Sequence, residues 1–380
     1  VIPSTWFGPA LPLVLALAAG CAPTYAQGYQ EALARGLAAQ NAGRWDEAAK
    51  AFHEAAARGD RYKDRDEARL LEAHAYEEQG DMAQADKTLA RIVDEGGGRY
   101  QAVRAEFARA KLVTKWKGHD EGDALLLAAV KRHPTSGLTR HAVRQMLSSI
   151  EEEKGPDAAL AFLRSLEPVG KGNELEEALA YEEGLVLFRA ERYAEARDML
   201  VATARAHPYP HGALTDDAYY QASLLAERLG DVDQALALLR EMMKPAEAAY
   251  AGSSYERPRF PQAQLRVAKL LRDAKRDREG AKRAFRAVCT ERSASRLCDD
   301  ALWSEARMEV DDKEGDRACE AMNLLRKVRP ESRYAPCAHA LCPAIADDDK
   351  CHAYILRDLR GESPPSEDGP KKLEPEPIPQ

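Results

Sequence analysis

The stretch Gly184-Leu185-Val186-Leu187-Phe188-Arg189-Ala190-Glu191-Arg192-Tyr193-Ala194-Glu195-Ala196, continued to Leu200 and closed by Pro208, reads as two helices across a tight turn. A small residue, Ala196, lets the first helix come close, and Leu200, one turn later, fills the groove between the two. The same signature recurs along the chain. It appears as Ala48 with Phe52, Ala85 with Leu89, Ala235 with Leu239, Ala281 with Phe285 and Ala318 with Met322. Weaker copies are read at Gly122 with Leu126 and at Ala158 with Phe162. The steps from Ala48 are then 37, 37, 36, 38, 39, 46 and 37 residues. A period of this length marks a helical repeat whose units each leave an apolar face that only a neighbour can cover.

Composition agrees with an all-α reading. The 380 residues are 45% apolar but poor in aromatics, and long Ala, Leu, Glu and Arg tracts favour helix over strand. A net charge of -8 argues against general nucleic-acid binding. Repeat arrays grow without enlarging one core, so residues 27–358 are read as a single solenoid.

The seven cysteines fall into two groups. Cys21 stands alone, whereas Cys289, Cys298, Cys319, Cys337, Cys342 and Cys351 lie in the last quarter. Behind an export signal the six read as three disulfides stapling the end of the array, where the last repeat lacks a neighbour. Of the 15 possible pairings, Cys289 with Cys298 is the first choice, because it clips the loop between two helices. A competing zinc site from Cys337, His339, Cys342, Cys351 and His352 lacks the paired Cys-x-x-Cys knuckles, so no metal and no cofactor are assigned.

Residues 10–19, Ala-Leu-Pro-Leu-Val-Leu-Ala-Leu-Ala-Ala, are too short to span a bilayer and match a signal-peptide core. Leu17-Ala18-Ala19-Gly20-Cys21 resembles the bacterial lipobox, which makes Cys21 the lipidation candidate. The lipobox usually has Leu where Ala18 stands, and the alternative cut follows Thr24-Tyr25-Ala26. Residues 1–26 are therefore read as a leader and short tether. Residues 359–380 are read as a Pro/Glu-rich tail unable to bury enough apolar surface to fold.

The repeats resemble the tetratricopeptide family, in which Gly or Ala on the first helix packs against Ala on the second. The first copy carries Gly36, Ala39, Gly43, Trp45, Ala48, Phe52 and Ala55. The fifth carries Gly184, Leu187, Tyr193, Ala196, Leu200 and Pro208, and Pro134 and Pro330 close two others. Units longer than the usual 34 residues resemble the periplasmic lipoprotein branch of the family, of the BamD and CpoB type. The resemblance implies a right-handed superhelical solenoid of about eight to nine hairpins. It further implies a scaffold facing the periplasm, anchored to the outer membrane through lipid, whose partners are envelope proteins or peptides. Outer-membrane protein assembly and the organisation of cell-wall or Tol-Pal complexes are its two forms.

Chemistry leaves little trace in the chain. His207 and His211 are separated by Pro208 and Pro210, which break the helical face a metal pair needs. Phosphate-loop, zinc-protease and nucleophile-elbow motifs are absent, so the chain reads as no enzyme. A lytic-transglycosylase-like helical region and a cytosolic regulator are the rival classes. One charged feature has shape. Between Arg266 and Arg296 lie eleven Lys or Arg and four Asp or Glu, and Arg266, Lys269, Arg272 and Arg276 form a candidate basic contact patch.

Overall fold

The computed structural model describes Ala26, residues 28–244, Arg257 and residues 259–291, 295–348 and 350–361. The fold is all-α, and no strand occurs among the described residues. Helices pair as tandem hairpins: α1 (Tyr29–Asn41) with α2 (Trp45–Arg58), α3 (Tyr62–Gln79) with α4 (Met82–Gly96), α5 (Tyr100–Lys117) with α6 (His119–Arg132), and α7 (Gly137–Lys154) with α8 (Pro156–Gly170). They continue as α9 (Glu174–Arg189) with α10 (Tyr193–Ala206), α11 (Thr215–Arg228) with α12 (Val232–Met243), α13 (Phe260–Asp273) with α14 (Arg278–Thr290), and α15 (Cys298–Asp311) with α16 (Gly315–Val328). A 3₁₀ turn (Ala335–Ala340) and α17 (Ala353–Leu359) follow. The chain divides into two compact units, residues 1–146 and 147–380, the division falling within α7.

Ala48, Phe52, Ala196, Leu200, Ala235, Leu239, Ala281, Phe285, Ala318 and Met322 are completely buried, as is Ala85, and Leu89 nearly so. Each large side chain withdrawn from water stabilises its hairpin by about 2–3 kcal/mol. Close approach explains the first-helix glycines. A Cβ on Gly184 would stand 2.7 Å from Leu200 Cγ, and one on Gly36 would stand 2.5 Å from Phe52 Cδ1.

The fourth hairpin corrects the sequence reading by one residue. Ala159 and Leu163 are buried there, while Ala158 and Phe162 are partly exposed. With Ala159 in place the first four steps all become 37 residues. A backbone device underlies this regularity: every hairpin turn contains one residue of positive φ. Glycine supplies it at Gly43, Gly80, Gly118, Gly155 and Gly230, whereas Glu191, Arg276 and Lys313 adopt it with φ of 60, 57 and 62°. Asp81, Asp231 and Asp277 then cap the second helix by accepting from the backbone N–H of Gln84, Gln234 and Gly280.

The second unit ends in a stapled cap. Disulfides join Cys289 to Cys298, Cys319 to Cys342 and Cys337 to Cys351. The first closes the α14–α15 connection, and the other two tie the segments after α16 to α16 and to each other. These segments cover an apolar cluster that includes Leu302, Trp303, Met322, Leu325, Leu341 and Ile355. Tyr334 stacks on Trp303 with ring centroids 4.7 Å apart. The bridged sulfurs leave no thiolate for zinc, and His339 Nδ1 lies 2.6 Å from the Ile345 carbonyl oxygen.

Candidate functional site

Helical periodicity puts Glu67, Leu71, His74 and Glu78 on one stripe of α3, and Arg104, Ala108, Lys111 and Lys115 on one stripe of α5. Both are first helices, and together they wall a groove of about 630 Å³ floored by Leu70, Ala73, Ala85, Leu89 and Leu112. Two ion pairs bracket it. Arg104 Nη1 lies 2.7 Å from Glu67 Oε2, and Lys115 Nζ lies 3.1 Å from Glu77 Oε1. Between these brackets, His74 meets the edge of the Trp45 ring at a centroid distance of 5.9 Å. Lys111 is exposed and makes no ion pair among the described residues. The groove thus offers an apolar floor, an imidazole, the unpaired ammonium of Lys111 and the carboxylate of Glu78, which likewise makes no ion pair among the described residues.

A second groove on the same hairpin is more polar. Its volume is about 560 Å³, and it is lined by His53, Arg69, Glu72, Arg91 and Glu95. Hydrogen bonds from Arg91 and Arg69 hold the Glu95 carboxyl down at about 2, and Glu72 Oε1 lies 2.9 Å from His53 Nδ1. Lys87 and Asp94 also line this groove, exposed and without an ion pair among the described residues, so the apolar floor is what sets the first-helix groove apart.

Ion pairs of the bracketing kind form a ladder within each unit. An acid on one first helix meets a base on the next in Glu67–Arg104 and Glu77–Lys115 in the first unit. Glu151–Arg189 and Glu227–Arg266 repeat it in the second, with separations of 37 to 39 residues throughout. Exposed pairs of this kind each contribute at most about 1 kcal/mol, but their direction disfavours wrong pairings of hairpins. The sequence reading missed both the ladder and the stripes. A search for opposite charges one repeat apart would have found them.

The candidate basic patch is placed accordingly. Arg266 belongs to the ladder, and Arg272 pairs with Asp273 at 2.7 Å. Lys269 is exposed on α13, and Arg276 is exposed in the turn beyond it. Cys21, residues 245–256 and residues 362–380 lie outside the described residues. Among the described residues no three His, Cys, Asp or Glu side chains gather as a metal site, and no helix is long and apolar enough to cross a membrane.

One buried acid stands out in the second unit. Burial pushes the Glu305 carboxyl up to about 7, against the pull of Arg286, with Glu309 and Glu320 adding to the rise. Its Oε1 accepts from Arg286 Nε at 2.7 Å, while Oε2 is buried without a hydrogen-bond partner.

A tandem hairpin array with an open first-helix groove is the class of protein these features define. The tetratricopeptide repeat family matches residues 39–107, from the end of α1 into α5. No curated protein matches the chain significantly. Among solved structures, the C-terminal part of a tetratricopeptide-repeat protein from Cytophaga hutchinsonii is 14% identical, covering 72% of this chain and 99% of that one, with a TM-score of 0.40. PilF of Pseudomonas aeruginosa is 17% identical over 64% of this chain and 99% of that one, with a TM-score of 0.37. A repeat protein from Parabacteroides merdae is 12% identical over 69% and 92%, with a TM-score of 0.33. At such TM-scores these likenesses carry no argument about function.

Proposed function

We propose that the protein is a non-enzymatic interaction scaffold that binds a partner polypeptide in the α3–α5 groove. The observation that carries this is the open groove itself, with apolar floor, bracketed ends and an unpaired Lys111. An apolar side chain seated over Leu71 and Ala108, next to an acidic group near Lys111, is the complementary chemistry. The reading extends to a periplasm-facing lipoprotein anchored through Cys21, acting in outer-membrane protein assembly or as a cell-wall organiser. Support comes from the apolar run at residues 10–19 ahead of Cys21 and from three disulfides, which persist in oxidising compartments.

The test places a photo-crosslinking side chain at Leu71 in cells and identifies captured proteins. A partner lost on Lys111→Glu, with the helical signal unchanged, is the expected result. Capture that is indifferent to Lys111→Glu would overturn the groove assignment. Separately, fatty-acid labelling lost on Cys21→Ser is expected, and an unlabelled native protein would remove the anchor.

A further inference from the structure

The cap determines where the chain leaves the second unit. Ile355 is buried in the terminal cluster and Leu359 packs against it, while Arg307 Nη1 on α15 lies 2.8 Å from Asp358 Oδ2. The chain therefore departs at Arg360-Gly361 beside a first helix. One hairpin earlier, α13 exposes Lys269 and its following turn exposes Arg276, and neither has an ion pair among the described residues. The hydrogen bond from Arg272, aided by the charges of Arg276 and Lys269, holds the Asp273 carboxyl below its ordinary range, so this face is a positive field only partly met by Asp273. The residues after Gly361 are Glu362-Ser363-Pro364-Pro365-Ser366-Glu367-Asp368, which carry three carboxylates, two prolines and no cation.

We propose that the exposed basic face of α13 is a docking surface for residues 362–368 of the same chain. Seven residues in extended form reach roughly 20 Å, and packed helices are about 10 Å apart, so the segment is long enough to pass from α15 to α13. The two prolines restrict the free segment and lessen the entropy lost on docking. Glu362, Glu367 and Asp368 meet Lys269 and Arg276, and an acidic partner for this face has to displace them. The proposal is independent of the α3–α5 groove.

Zero-length carbodiimide coupling of the full chain tests it, because that reagent joins only an amine and a carboxylate in contact. Lys275 with Asp233, 2.7 Å apart, and Lys115 with Glu77 serve as internal controls in the same digest. The expected product links Lys269 to Glu362, Glu367 or Asp368 within one chain. It should fall about fivefold in Arg276→Glu and again at 1 M salt, where the screening length is about 3 Å. The triple change Glu362→Gln, Glu367→Gln, Asp368→Asn should abolish it without altering the control links. Control links without a Lys269 link overturn the proposal. So do tail carboxylates joined only to other lysines, Lys371 and Lys372 included, or a Lys269 link found only between two chains.

Discussion

Helices α3 and α9 hold the same place in their hairpins, yet they are solvated differently. α3 turns Glu67, Leu71, His74 and Glu78 toward a groove. In α9, Leu175, Ala178, Leu179, Tyr181, Leu185, Val186 and Leu187 are buried together with Glu177, Glu182 and Glu183. A repeat position therefore fixes which side packs on the second helix, and leaves open whether the remaining side is core or binding surface. α9 also borders a groove, through Glu176, Leu179, Ala180 and Glu183, but Leu179 and Glu183 are buried there, whereas His74 and Glu78 of α3 are exposed.

The sharpest way to break this comparison is to put a charge at each helix. Leu187→Asp in α9 buries a carboxylate with no partner and should destabilise by more than about 4 kcal/mol, whereas His74→Asp on exposed α3 should stay within about 0.5 kcal/mol. Urea unfolding of the two variants measures both, and equal losses would mean α3 is as buried as α9.

Acidity offers the next test, because the first helices also differ in how their acids are solvated. Glu67 and Glu78 on α3 reach water, whereas Glu305 on α15 is 2% exposed and its folded value of about 7 lies above the ordinary 4.5. The folded state therefore holds this proton more tightly than the unfolded chain does. The stability it contributes is complete below about 4.5 and is lost as pH rises through 7. Relative to Glu305→Gln, the native chain should lose at most about 3 kcal/mol between pH 4.5 and pH 8.5. The difference between the two urea curves isolates this group, and a difference independent of pH would contradict it.

Smaller effects belong to the turns and the ladder. Replacing Lys313 or Glu191 with glycine should raise stability by about 0.5–1 kcal/mol, since a side chain at positive φ is strained, while Gly80→Ala in the first unit should lower it by a similar amount. Thermal unfolding registers the sign of each. Glu67→Lys or Arg104→Glu alone should cost about 0.5 kcal/mol, and the double exchange should recover most of it; a double-mutant cycle with no coupling would remove the pair from the ladder.

Much of the fold was legible because a small residue and a large one, a turn apart, are a local requirement of helices in close contact. The reading slipped at Ala158 because adjacent alanines, Ala158 and Ala159, look alike in sequence and differ only in which faces the first helix. It passed over the α3 and α5 stripes for a different reason. Charged residues at helical spacing occur on every solvated face, and neither stripe has meaning until the other stands beside it.

The sequence by itself determined the helices, their period and the residues between them, since these follow from side-chain volume and spacing within some forty residues. Tertiary structure alone decided which first helix keeps an open side, which of fifteen cysteine pairings forms, and that Glu305 sits out of water. Those depend on what arrives from outside the hairpin, and local pattern carries no record of it.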